Sequence, residues 1–134
     1  MATESQNPNK KRILIIEDDI ALRSMLRLFL ESLGYGEVFQ ETRGDTGYEK
    51  VVDLRPDLVL LDITLPGMVG TEVCKKIKSD PRVKDIPVLM MTGDRKSIPD
   101  KLAGFSLGAE DYIIKPFDLA ILGARVQSIL KNSK

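Results

Sequence analysis

Histidine is absent from the 134 residues of this chain, and so is tryptophan. Without histidine there can be no catalytic triad, no imidazole general base, and few of the common zinc sites. One cysteine, Cys74, permits no internal disulfide and fits a reducing compartment; it reads as a small apolar residue on a helix. Net charge is also absent, since 20 basic residues balance 20 acidic ones. No electrostatic footprint for nucleic acid or a membrane surface stands out. No apolar stretch approaches the roughly 20 residues that span a bilayer, and the N-terminus lacks the apolar core of a secretory signal. These absences predict a soluble, cytoplasmic protein. Two nucleotide signatures are missing as well: a GxxxxGK[ST] loop, and a GxGxxG segment following a strand.

The residues that are present alternate regularly. The length fits one domain. The polar stretch over residues 1–10 reads as a disordered tail, residues 11–131 as the domain, and 132–134 as a second short tail. ILII is a near-continuous apolar run, the mark of a strand buried on both faces. Asp19 suits the N-cap of the helix that follows. In that helix Leu22, Met25, Leu26, Phe29, Leu30 and Leu33 recur at helical spacing, and Gly34 and Gly36 end it. EVFQE is a more polar strand, suited to a sheet edge. A second helix is expected over 44–54, around Tyr48, Val51, Val52 and Leu54. DLVLLD is the most apolar strand, LPGMVG a loop, and Thr71 to about Lys78 a third helix with Val73 and Ile77 inward. VLMMT then gives strand four, 97–107 a fourth helix, and Asp111 to Ile114 strand five. Asp118 caps a last helix carrying Leu119, Leu122, Val126, Ile129 and Leu130. Five strands alternating with five helices across short connections predict a parallel sheet covered on both faces.

Polar groups gather where the apolar runs end. ILII leads into Glu17 and Asp18, LVLL into Asp62, VLMM into Thr92, and YII, which begins at Tyr112, into Lys115. In an open α/β sheet the carboxyl ends of the strands border the ligand crevice. Unit like charges about 4 Å apart repel by roughly 4 kcal/mol at an effective dielectric near 20, so three carboxylates there need a cation or must take up protons. An all-oxygen donor set favours Mg²⁺ or Mn²⁺ over zinc. Aspartate can attack phosphorus covalently, and phosphoryl transfer needs positioning and charge neutralisation more than acid–base machinery. The bland alternative is an acidic turn with a buried salt bridge to Lys115. Tyr112, an aromatic on a strand, can be simple packing.

The segments ILIIEDDIALR, PDLVLLDITLPGMVG, PVLMMTG and GAEDYIIKPF, taken in order, resemble the receiver domain of two-component response regulators over nearly the whole chain. The resemblance implies a doubly wound, flavodoxin-like sheet of order 2-1-3-4-5. It also implies a signalling domain that catalyses only its own phosphotransfer and dephosphorylation. Asp62 would accept a phosphoryl group from a histidine kinase or a phosphotransfer protein. Asp18 and Asp62 would bind Mg²⁺ directly, Glu17 through water, and Thr64 through its carbonyl. Lys115 would neutralise the phosphoryl charge, Thr92 would hydrogen-bond a phosphoryl oxygen, and Tyr112 would turn inward as Thr92 moves. The Lys115–Pro116 bond is expected to be cis. An output domain or protein would read the face formed by the fourth helix, strand five and the last helix. The domain itself would make no nucleic-acid contact.

Several positions depart from the family pattern. Thr64 stands where a larger apolar residue is common, and Val69 where the loop commonly carries aspartate. One extra residue stands between Thr92 and Tyr112, and Pro99 lies in the approach to the fourth helix. Thr64 and Asp94, two residues beyond Asp62 and Thr92, flank the site where both could affect phosphoryl lifetime. Asp111 and Arg125 match one ion pair of the face through which winged-helix regulators dimerise, but Leu107, Ile121 and Asn132 replace expected charges. Exposed ion pairs contribute only about 0–1 kcal/mol each, so a monomer or a weak phosphorylation-dependent dimer is expected. Two further readings differ in kind. A pseudo-receiver would bind partners without phosphorylation. A flavodoxin-like cofactor carrier would need a phosphate-binding loop where Glu17-Asp18-Asp19 stands.

Overall fold

The computed structural model describes residues 11–93 and 108–132. The order is β1 (Arg12–Ile16), α1 (Ile20–Ser32), β2 (Glu37–Glu41), α2 (Gly44–Leu54), β3 (Leu58–Asp62), α3 (Gly70–Ser79), β4 (Val88–Thr92), β5 (Asp111–Ile114) and α4 (Leu119–Asn132). The strands form one parallel sheet in the order β2-β1-β3-β4-β5, the doubly wound arrangement expected from the sequence. Four helices lie among the described residues, and α4 is the fifth helix of the sequence reading. The expected helix over 97–107, with Pro99 and Leu107, falls outside the described residues, as do Asp94, the N-terminal tail and residues 133–134. The last helix includes Asn132, one residue past the expected domain boundary.

Alternation along the strands divides the interior in two. Ile13, Ile15, Leu58, Leu60, Leu89 and Met91 point toward α1 and α4, where they meet Leu26, Leu30, Leu122 and Val126. Leu14, Ile16, Val59, Leu61, Val88 and Met90 point the other way, against Val51, Val73, Cys74 and Ile77 of α2 and α3. β3 and β4 are buried along their whole length, whereas every residue of the edge strand β2 is half-exposed. Among the described residues, no helix is long and apolar enough to cross a membrane.

Local signals place the helix ends. Asp19 caps α1, its side chain accepting from the N–H groups of Ala21 and Leu22, and Gly34 beyond the helix adopts φ 101°, a conformation open to glycine. Asp118 accepts from the N–H of Ala120 at 2.8 Å at the start of α4. Met25 is 42% exposed and shares the solvent side with Ile20 and Leu28, because the buried stripe runs through Leu26 and Leu30 and leaves Met25 to one side.

Asp80 ends α3. Its carboxylate accepts from Arg82 Nη2 at 2.6 Å and from the Tyr48 hydroxyl of α2 at 2.7 Å. The Arg82 guanidinium first, then the Tyr48 hydroxyl, hold this carboxyl well below its ordinary 3.8. A depressed carboxyl contributes stability above its unfolded value and loses that contribution as pH falls toward the folded value. Between about pH 5 and about pH 2, Tm is expected to fall less steeply in Asp80→Asn than in the natural chain. Parallel thermal-melting curves would contradict this.

At the other end of α3, Val69 holds the N-cap conformation, φ −63° and ψ 151°, but supplies no side-chain hydrogen bond. A capping side chain at such a position contributes about 0.5–2 kcal/mol. Val69→Asp is therefore expected to raise the urea midpoint by a stability gain of about 1 kcal/mol at unchanged m-value.

Candidate functional site

Register assembles the site. Ile16 lies opposite Leu61, which sets Glu17 level with Asp62, and Thr92 lies opposite Ile114, one residue before Lys115. Ile15 and Leu60 share one face of the sheet, so Glu17 and Asp62, two residues further on, continue on that face. Gly70 permits the close return of the chain after β3, since a Cβ there would overlap the Asp62 carbonyl. Its N–H donates to the Ile63 carbonyl at 2.7 Å.

Glu17, Asp18 and Asp62 each present a carboxylate oxygen within 4.8 Å of the others. Glu17 and Asp62 are buried, 1% and 4% exposed, while Asp18 is open to solvent. Lys115 Nζ donates to Glu17 Oε1 at 2.8 Å and stands 3.4 Å from Asp62 Oδ1. Glu17 Oε2 accepts from the Asp19 N–H at 3.0 Å. Asp18 has no hydrogen bond or ion pair among the described residues, so its carboxylate is available. The Lys115 N–H donates to the Thr92 carbonyl at 2.6 Å, joining the ends of β4 and β5, and Thr92 is 2% exposed. The Lys115–Pro116 bond is cis.

Burial and charge act differently on the two members of the lysine–glutamate pair. Burial, aided by the charge of Asp62, raises Glu17 above 4.5 against the opposing hydrogen bonds from Lys115 and the Asp19 N–H. Burial pushes Lys115 down, but the Glu17 hydrogen bond and the charges of Asp62 and Glu17 carry it above 10.5. The rise of Glu17 reflects its burial first, whereas the rise of Lys115 despite burial reflects the neighbouring carboxylates.

Thr64 is exposed beside the cluster, and its N–H lies 3.4 Å from Asp62 Oδ1. Tyr112 is turned inward, with its ring against the core that contains Met90 and Cys74. Its hydroxyl is buried and has no hydrogen-bond partner among the described residues, and burial raises its pKa above 10.0. Asp111 and Arg125 pair with each other within the chain, Nη1 to Oδ2, at 2.5 Å. Sequence reasoning passed over Arg23, whose Nη1 donates to the Glu17 carbonyl at 2.9 Å and whose Nε donates to Gln40 at 3.1 Å. The available signal was its place one turn after the acidic run.

A doubly wound parallel α/β domain with an acidic pocket and a lysine at its carboxyl edge is the class that fold and site define. The chain matches the response regulator receiver domain over residues 13–127 and belongs to that family. It is 44% identical over 122 residues to the DNA-binding dual master transcriptional regulator RpaA of Synechocystis sp., a match covering 91% of this chain and 50% of that protein. The chain thus spans about half the length of the curated relatives it matches. Among solved structures, a response regulator of Chloroflexus aurantiacus superposes with TM-score 0.82 at 37% identity, covering 91% of this chain and 98% of that one. A receiver domain of a sensor histidine kinase from Pseudomonas aeruginosa PAO1, with a magnesium ion coordinated in its active-site cleft, gives TM-score 0.80 at 25% identity, covering 91% and 98%.

Repulsion within the cluster makes a direct prediction. At separations near 4–5 Å, each carboxylate pair costs about 3–4 kcal/mol at an effective dielectric near 20. Removing exposed Asp18 leaves no buried group unpaired. Asp18→Ala is therefore expected to raise Tm in EDTA and to show little of the further Tm increase expected of the natural chain in millimolar Mg²⁺. A drop in Tm in EDTA would contradict this.

Proposed function

We propose that the chain is a phosphorylatable receiver in which Asp62 is the phosphoacceptor. The observation that carries the reading is the convergence at the strand ends of a buried aspartate, two further carboxylates within 4.8 Å of it, and the Lys115 ammonium 3.4 Å from it. An Asp62 oxygen attacks phosphorus, the bond from phosphorus to a kinase or phosphotransfer imidazole breaks, and that imidazole leaves with the electron pair. Lys115, already 3.4 Å from Asp62, is placed to neutralise charge on the transferred group. Thr92, at the end of the neighbouring strand, offers its hydroxyl to a phosphoryl oxygen.

The donor set fits a hard divalent cation. Its charge would offset that of the carboxylates, and it keeps open positions for a phosphoryl oxygen. Asp18 and Asp62 would hold it directly, with the Thr64 carbonyl. Glu17, engaged by Lys115 and by the Asp19 N–H, would act through water. Mn²⁺ satisfies the same chemistry.

The partners follow from this reading. A histidine kinase or phosphotransfer protein donates the phosphoryl group in the cytoplasm, and an output domain or protein receives the signal. The similarity to a DNA-binding regulator supports a transcriptional output carried outside this domain, which makes no nucleic-acid contact itself. Asp111 and Arg125 pair within the chain, and Ile121 is exposed on α4. Both favour a monomer, with weak association on phosphorylation.

Asp62→Asn keeps the size of the side chain and removes the attacking oxygen anion. Incubated with acetyl phosphate and Mg²⁺, the natural chain should gain the mass of one phosphoryl group. Asp62→Asn should gain none while giving the same far-ultraviolet circular dichroism. Labelling of the variant would refute Asp62 as the acceptor. Absence of labelling in the natural chain, with any phosphohistidine donor as well, would favour a pseudo-receiver.

A further inference from the structure

Arg23 takes no part in the chemistry above, yet the acidic turn is tied through it. The segment Glu17–Asp18–Asp19 is fixed at several points. The Glu17 N–H donates to the Glu41 carbonyl at 3.0 Å, and the Asp19 carbonyl accepts from the Arg23 N–H at 2.9 Å. Asp18, between them, has no hydrogen bond or ion pair of its own among the described residues. What the backbone on either side sets is the Cα–Cβ direction from which this carboxylate reaches toward Glu17 and Asp62. The carbonyl of Glu17 belongs to the peptide plane that leads into Asp18, and Arg23 Nη1 donates to that carbonyl at 2.9 Å. The same guanidinium is anchored to the edge strand, since Nε donates to Gln40 Oε1 at 3.1 Å.

We infer that Arg23 is a positioning residue: with Gln40 as its anchor on β2, it fixes the peptide plane entering Asp18 and so presets the Asp18 carboxylate for a divalent cation. This rests on the metal-dependent reading above. Charge and positioning predict opposite results. A guanidinium near an acidic site competes electrostatically with a bound cation, so on Coulomb's law alone its removal tightens Mg²⁺ binding. If Arg23 positions Asp18, its removal weakens binding, because groups that orient a metal ligand typically contribute 10–100-fold in affinity. Lysine keeps the charge but lacks the planar fork that serves two acceptors at fixed geometry, so it should not restore full affinity.

The test is calorimetric titration of Mg²⁺ into the natural chain and into Arg23→Gln, Arg23→Lys and Gln40→Ala. Each is titrated at a temperature where circular dichroism shows it folded. Arg23→Gln should raise Kd about tenfold or more, and Arg23→Lys should raise it despite the retained charge. Gln40→Ala should shift it in the same direction by less. An unchanged or lower Kd in folded Arg23→Gln overturns the inference. Should that variant not fold, an unchanged Kd in Arg23→Lys does so instead. If the natural chain shows no saturable Mg²⁺ binding, the metal reading itself fails, a result distinct from a bound metal indifferent to Arg23.

Discussion

Three carboxylates held within 4.8 Å of one another beside the ammonium of Lys115 set the terms for the rest of this structure. Two of the three are withdrawn from water, where a like-charge pair is opposed by several kcal/mol and a lone buried charge by more. Lys115 offsets part of that opposition by bridging Glu17 and Asp62, and the Asp19 N–H offsets a little more. Burial holds Glu17 above its ordinary value, and the Glu17 hydrogen bond with the charges of Asp62 and Glu17 holds Lys115 above its own. The site thus carries an electrostatic repulsion among its carboxylates that a bound cation would relieve.

The scaffold around this cluster is correspondingly rigid. β1, β3 and β4 contribute the acidic groups and Thr92 from strands that are almost wholly buried. Their ends cannot drift apart without opening two packed cores. The loops are tied as well: Gly70 closes against the Asp62 carbonyl, and the Gly44 N–H donates to the Pro66 carbonyl at 2.9 Å. The segment beyond Asp62 is thereby fastened to the start of α2. Tyr112 is the exception, a polar tip buried without a partner among the described residues.

Much of this was legible in the residues, for physical reasons. Continuous apolar runs such as ILII and LVLL mark strands covered on both sides, and each run ends in the residue that enters the site. Asp19 and Asp118 announce helix starts because their oxygens satisfy backbone donors. The polar composition of EVFQE placed β2 at the edge, where it lies. Other features were not legible. Met25 shares the helical spacing of the buried residues of α1 but is 42% exposed, because the width of the buried stripe is set by the sheet and the neighbouring helix. Arg23 looked like one more polar residue of α1, because its acceptors lie on a backbone carbonyl and on a different strand. The ion pair of Asp111 with Arg125 matched a cross-subunit pattern in sequence, whereas the fold brings the two together within one chain.

If the carboxylates and Lys115 form one site for a cation and a phosphoryl group, the phosphoryl group should bind well only when the cation is in place. Fluorine nuclear magnetic resonance of the natural chain with beryllofluoride, recorded with and without Mg²⁺, addresses this most directly. The account predicts protein-bound fluorine signals only when both are present, lost when Mg²⁺ is removed by EDTA. Bound signals of equal intensity without Mg²⁺, or none with it, would contradict the account.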